Sequence, residues 1–140
     1  MQEIFTAAYL QSLKKEKCQY SIEDTVPANA MGNCLYRNNG KKCFIGAVIP
    51  DELYHAGLEH RGGMAVLCEL KLINQRSLDR SIAELKEYDD LDVFVAQLQK
   101  IHDSIPIAQW DTCLRKLAED YHLQIPTVPL PDSNSMTVQL

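Results

Sequence analysis

Long apolar runs are missing from this chain. No stretch approaches the roughly 20 apolar residues that a membrane span needs, and Met1-Gln2-Glu3-Ile4-Phe5 enters an amphipathic pattern without the charged region and apolar core of a secretory signal. A cytoplasmic protein with no membrane partner is expected. Basic patches are also scarce. The net charge is −5, and the only basic clusters are Lys14-Lys15-Glu16-Lys17 and Lys41-Lys42. Broad phosphate-backbone binding needs clustered cations that displace counterions, so nucleic acid is not expected as a primary partner. Phosphate loops are absent: Gly40, Gly62 and Gly63 build neither G-x-x-x-x-G-K-[ST] nor a strand-linked G-x-G-x-x-G, which excludes nucleotide-dependent chemistry of those kinds.

The cysteines lack pattern. Cys18, Cys34, Cys43, Cys68 and Cys113 make an odd count of 5 with no repeated close spacing, which argues for free thiols rather than a disulfide framework. No C-x-x-C or H-x-x-x-H pair supplies a zinc motif, and His55 and His60 stand across a glycine at a spacing no helix uses for ligation. Cys34 and Cys43 would bring two thiolates together if they faced one another across a hairpin, but no third or fourth ligand is evident. The sequence therefore predicts neither a metal nor another cofactor.

What is present is ordinary globular usage: 140 residues, 46% hydrophobic and 24% charged, enough for one domain with its own core. Residues 1–123 should form that compact domain. Residues 124–140, carrying Pro126, Pro129 and Pro131, predict an extended or disordered tail. No internal repeat is evident.

The strongest local signal is a β-hairpin. Cys34-Leu35-Tyr36-Arg37 and Lys42-Cys43-Phe44-Ile45 flank Asn38-Asn39-Gly40-Lys41, and Asn-Gly supplies the positive φ angles of a tight turn. Gly46 then allows close backbone approach, and Pro50 suits the first turn of a short helix reaching Tyr54. Helical periodicity predicts helices over residues 2–15 and 64–73. It also marks Leu78, Ile82 and Leu85, then Leu91, Phe94, Val95, Leu98 and Ile101 behind the cap Asp90, and finally Trp110, Leu114, Leu117 and Tyr121. Residues 18–33 read as a long ordered loop. The fold class is α+β: one short antiparallel β-hairpin packed against about four to six helices.

Chemistry-bearing candidates are few, and each has a structural counterpart. Cys43 precedes a strand-to-helix turn whose amides would favour a thiolate, with His102 as its base and Asp103 beside it. The simpler reading, which the sequence favours, takes Cys43 as a small buried hydrophobe, His102-Asp103-Ser104 as a helix end, and Trp110 as a core anchor. Glu84, Glu87, Asp89, Asp90 and Asp92 gather on one stretch with Tyr88 among them, giving a negative face for a basic partner or simply a solvated helix. Arg37, Lys42 and Arg61 are the cations available to a small anion.

The segment Gly40-Lys41-Lys42-Cys43-Phe44-Ile45-Gly46-Ala47-Val48-Ile49-Pro50-Asp51-Glu52-Leu53-Tyr54, with Leu98-Gln99-Lys100-Ile101-His102-Asp103 and Trp110 further on, resembles an uncharacterised small protein family of phages and bacteria. The resemblance implies a shared small fold, a structural kernel of Cys43, Gly46, Pro50 and Trp110, and a phage setting in a host bacterial cytoplasm. It brings no reaction and no catalytic residues. The leading expectation is a non-enzymatic accessory protein that binds a host or bacterial protein with a basic surface, through Glu84, Glu87, Tyr88, Asp89, Asp90 and Asp92, and so inhibits a host enzyme or antiviral defence system. Two alternatives stand beside it: a cysteine-dependent hydrolase or transferase using Cys43, His102 and Asp103, and a small-anion sequestering protein. The sequence leaves oligomeric state open.

Overall fold

Asn39 and Gly40 both take positive φ, 53° and 80°, which closes a two-residue turn between β1 (Arg37–Asn38) and β2 (Lys41–Lys42). The strands pair antiparallel in the register Arg37↔Lys42 and Asn38↔Lys41. The computed structural model describes residues 1–20, 34–73 and 82–127, with 82–85 described by their backbone alone. The hairpin is shorter than the sequence predicts, and Gly46 supplies the reason. After Cys43 N–H donates to the Tyr36 carbonyl at 3.1 Å, the chain curls: Ala47 N–H reaches the Cys43 carbonyl at 2.9 Å and Val48 N–H the Ile45 carbonyl at 2.9 Å. That curl carries Phe44, Ile45 and Ile49 into the core. It also puts Tyr36, not Cys34, beside Cys43 in the pairing. Cys34 instead forms a bridge with Gln19.

Four α-helices surround the hairpin among the described residues: α1 (Gln2–Ser12), α2 (Gly63–Glu69), α3 (Ile82–Ser104) and α4 (Trp110–Asp120). Short 3-10 turns lie at Asp51–Leu53, Ala56–Leu58 and Ile107–Gln109. The chain is thus an α+β fold. α1 ends earlier than its periodicity suggests, since Lys15 turns left-handed at φ 53°, and Leu13 is exposed while Gln11 is buried with its side-chain amide on the Lys42 carbonyl at 3.0 Å. α3 is one helix where two segments were expected. No Gly or Pro interrupts residues 82–104, so Asp90 sits inside it rather than capping a new one. Leu78, most of the 18–33 loop and the tail beyond residue 127 lie outside the described residues.

α4 packs against α1 and α3, and α2 against α3. Trp110 is central. Its ring meets Phe44 edge-on at 4.9 Å and stacks on His102 at 5.5 Å, while its indole N–H donates to the Ile101 and Ile105 carbonyls at 3.1 and 3.0 Å. One side chain thereby fills the core and ties down the end of α3, adding a second donor to the Ile101 carbonyl, which already receives Ile105 N–H at 3.2 Å, and supplying one to Ile105 just past the helix. Between α1 and α4, Tyr9 O–H donates to Asp111 at 2.8 Å and receives Arg115 at 3.2 Å. Gln124, just past α4, exchanges two hydrogen bonds with the Gln2 side chain, at 3.0 and 2.9 Å. No helix among the described residues is long and apolar enough to cross a membrane.

Candidate functional site

A cleft of about 550 Å³ opens between α3 and the segment leading into α2. Its α3 wall is built by Asp92, Val95, Ala96, Gln99 and Asp103, which share one helical face, together with Lys100 and Ser104 at its margin. The opposite wall runs from Glu59 to Ala65, and Cys34 and Tyr36 contribute from the hairpin side. Close approach of the walls is enforced at Gly63, where a Cβ would sit 3.0 Å from Val95 Cγ1. Two buried polar atoms on lining residues have no hydrogen-bond partner, Gln99 Oε1 and His60 Nδ1. His60 also holds a left-handed backbone, φ 66°, and its Nε2 meets the Tyr20 hydroxyl at 2.6 Å.

Glu59 looks reactive but is committed to the scaffold. Its carboxylate accepts the Tyr36 amide at 2.8 Å, the Arg37 amide at 3.1 Å and the Tyr54 hydroxyl at 2.6 Å. Burial first and Glu59 second push the Tyr54 hydroxyl pKa up. Glu59→Gln should therefore cost about 2 kcal/mol, because a carboxamide presents N–H to at least one of these donors. Urea denaturation would read the loss, and a variant as stable as wild type would show that the loop repacks around the amide.

At one end of the cleft Cys34, His102 and Asp103 meet, with one donor atom from each lying within 4.8 Å of the others. His102 is 1% exposed. Its Nε2 accepts the Cys18 backbone N–H at 3.1 Å and its Nδ1 lies 2.8 Å from Asp103 Oδ1. An amide can only donate, so Nε2 presents its lone pair and the ring proton sits on Nδ1, directed at Asp103. Burial disfavours a charged ring, while Asp103 and Cys34 favour it and outweigh burial, raising the pKa. The Cys18 amide works the other way, against a proton on Nε2.

This arrangement leaves His102 no free lone pair with which to take a proton from a thiol. The thiols are unsuited as well. Cys34 is pushed far above the ordinary thiol range, first by its hydrogen bond with Cys43 and then by burial, and burial pushes Cys18 up to about 12. Cys43, the nucleophile expected from sequence, is fully buried with its Sγ accepting Gly46 N–H at 3.2 Å. It offers a substrate no surface, because the curl after β2 folds over it. Asp103 reaches the cleft while His102 stays buried beside it, and the cysteine that joins them is Cys34.

The cations proposed for an anion do not converge. Arg37 and Lys42 both grip Asp51, at 2.7 and 3.3 Å, and hold its carboxyl below the usual range, Lys42 contributing most. Arg37 further donates to the Ile49 carbonyl and lies over the Tyr54 ring at 4.9 Å. Arg61 lines the cleft but pairs with Glu69 at 2.8 Å. Of the acidic set, Glu87, Asp89, Asp90 and Asp92 are exposed on α3, and Asp90 pairs with Lys86 at 2.9 Å. Tyr88 is half-buried with its hydroxyl 3.9 Å from Cys68 Sγ. The Glu84 side chain lies outside those described.

Gln99, His60 and Glu59 carried no sequence signal: an amide in a helix and a His and Glu in a turn are common everywhere. Compared with protein-family models, with curated proteins and with solved structures, this chain matches none.

Proposed function

We propose that this is a non-enzymatic, phage-type accessory protein that acts by binding a basic partner protein along α3. The observation that carries this reading is Asp92, which belongs both to the acidic run and to the cleft wall. The outer carboxylates of Glu87, Asp89 and Asp90 supply a field that steers a cationic surface. Asp92 and the unpartnered Gln99 Oε1, on the same face, offer acceptors that suit an inserted arginine or lysine. Val93, 54% exposed beside them, adds apolar contact. Inhibition of a host enzyme or defence system is the corresponding biological role.

The test is photocrosslinking in the producing cell from a reactive amino acid at Ala96, an exposed cleft position. Adducts with one Lys/Arg-rich segment are expected, and Asp92→Lys should weaken capture by about tenfold or more while the melting temperature holds. Crosslinks that persist unchanged after Asp92→Lys would remove Asp92 and the acidic run as the feature that recognises the partner.

A further inference from the structure

We propose that Cys34, His102 and Asp103 form a binding site for a borderline divalent transition-metal ion such as Zn2+. One sulfur, one imidazole nitrogen and one carboxylate oxygen lie within 4.8 Å of one another, a donor set that favours zinc-like ions over the hard, oxygen-seeking Mg2+ and Ca2+. With Nε2 turned to Cys18, the ligating nitrogen is Nδ1. Tetrahedral sites with bonds of about 2.0–2.3 Å hold their donors roughly 3.3–3.8 Å apart. Nδ1 and Oδ1, now 2.8 Å apart, must separate by about half an ångström, whereas Cys34 Sγ needs to close by no more than about 1.5 Å. Side-chain rotation supplies both movements, and Asp103, 39% exposed, has room to swing. Because Cys34 and Asp103 also line the cleft, the fourth coordination position lies on the cleft side, open to water or a ligand.

The ring imposes a condition on binding. Metal on Nδ1 displaces that proton, and a neutral imidazole must then carry it on Nε2, where the Cys18 amide now donates. The proton balance is simple: the Cys34 thiol proton passes to solvent and the ring proton moves from Nδ1 to Nε2. The Cys18 amide must turn away, a hydrogen bond given up for metal–thiolate and metal–imidazole bonds that are far stronger. Cys18 is itself stitched to the neighbour of the metal ligand, its carbonyl accepting Leu35 N–H at 3.1 Å. Ion binding and loosening of this short pairing are therefore coupled.

The experiment uses the full chain, dialysed against Zn2+ and separately titrated with Co2+. One ion per chain is expected, with a thiolate-to-cobalt charge-transfer band that Cys34→Ser abolishes and that Asp103→Asn retains at affinity reduced about tenfold. Circular dichroism establishes that both variants fold. Hydrogen exchange at the Cys18 amide should accelerate on Zn2+ binding. Failure to retain zinc, a cobalt band that survives Cys34→Ser, or a Cys18 amide whose protection is unchanged at stoichiometric metal would each overturn the site.

Discussion

Gly46→Ala is expected to destabilise the fold by about 3 kcal/mol or more, a large share of the 5–15 kcal/mol typical of a domain. A Cβ at Gly46 would stand 2.1 Å from the Tyr36 carbonyl oxygen and 2.8 Å from its carbon. These are backbone atoms, so no rotamer relieves the clash. Nor can Tyr36 retreat: its N–H is held by Glu59 at 2.8 Å, its carbonyl receives Cys43 N–H at 3.1 Å, and its hydroxyl donates to the Arg61 carbonyl. The curl after β2 has to open, and Phe44 and Ile45 lose their seats. Denaturation midpoints at unchanged slope measure the effect. Gly62→Ala, where an added Cβ meets nothing within 4 Å and φ is −60°, is the control: the poorer N-cap of α2 is offset by the lower entropy of the unfolded chain, and the change should stay within roughly 1 kcal/mol. A Gly46 variant as mild as that control would mean the junction is plastic.

Trp110→Ala should cost about 3–5 kcal/mol, for two separable reasons. The first is the cavity left against Phe44 and His102, whose rings lie 4.9 and 5.5 Å from that of Trp110. The second is the loss of the indole donor shared by the Ile101 and Ile105 carbonyls, worth about 1–2 kcal/mol. Trp110→Phe keeps most of the volume and removes the donor, so it should recover more than half of the loss. A Phe variant as unstable as the Ala variant would shift the weight from packing to the hydrogen bonds at the end of α3.

What the sequence made legible was local. Asn39-Gly40 announced the turn because two adjacent positive φ angles have few other chemical solutions, and Trp110 with Leu114 and Leu117 announced α4 through its period. Strand length was not legible, since it depends on where Gly46 meets the Tyr36 backbone, a contact across the turn. Nor was the continuity of α3: Asp90 has the chemistry of a cap, and only the absence of a breaker distinguishes an internal aspartate. The cluster at the cleft was hidden for the same reason. Cys34 and His102 are brought together by the packing of the hairpin on α3, and spacing along the chain carries no trace of it. Cys43 drew attention because it lies in the motif, while Cys34, outside the curl, is the thiol that reaches the cleft.

The clasp between α1 and α4 bears on how the molecule is made. Tyr9 and Asp111 are 102 positions apart, so at ribosomal speeds of about 5–20 residues per second α1 waits on the order of 5–20 s for its partner. During that interval Phe5 and Tyr9 are exposed on a short helix too weak to persist alone. The face of α1 that α4 covers therefore stays unpaired until α4 emerges, and chaperone occupancy of α1 should end at that point.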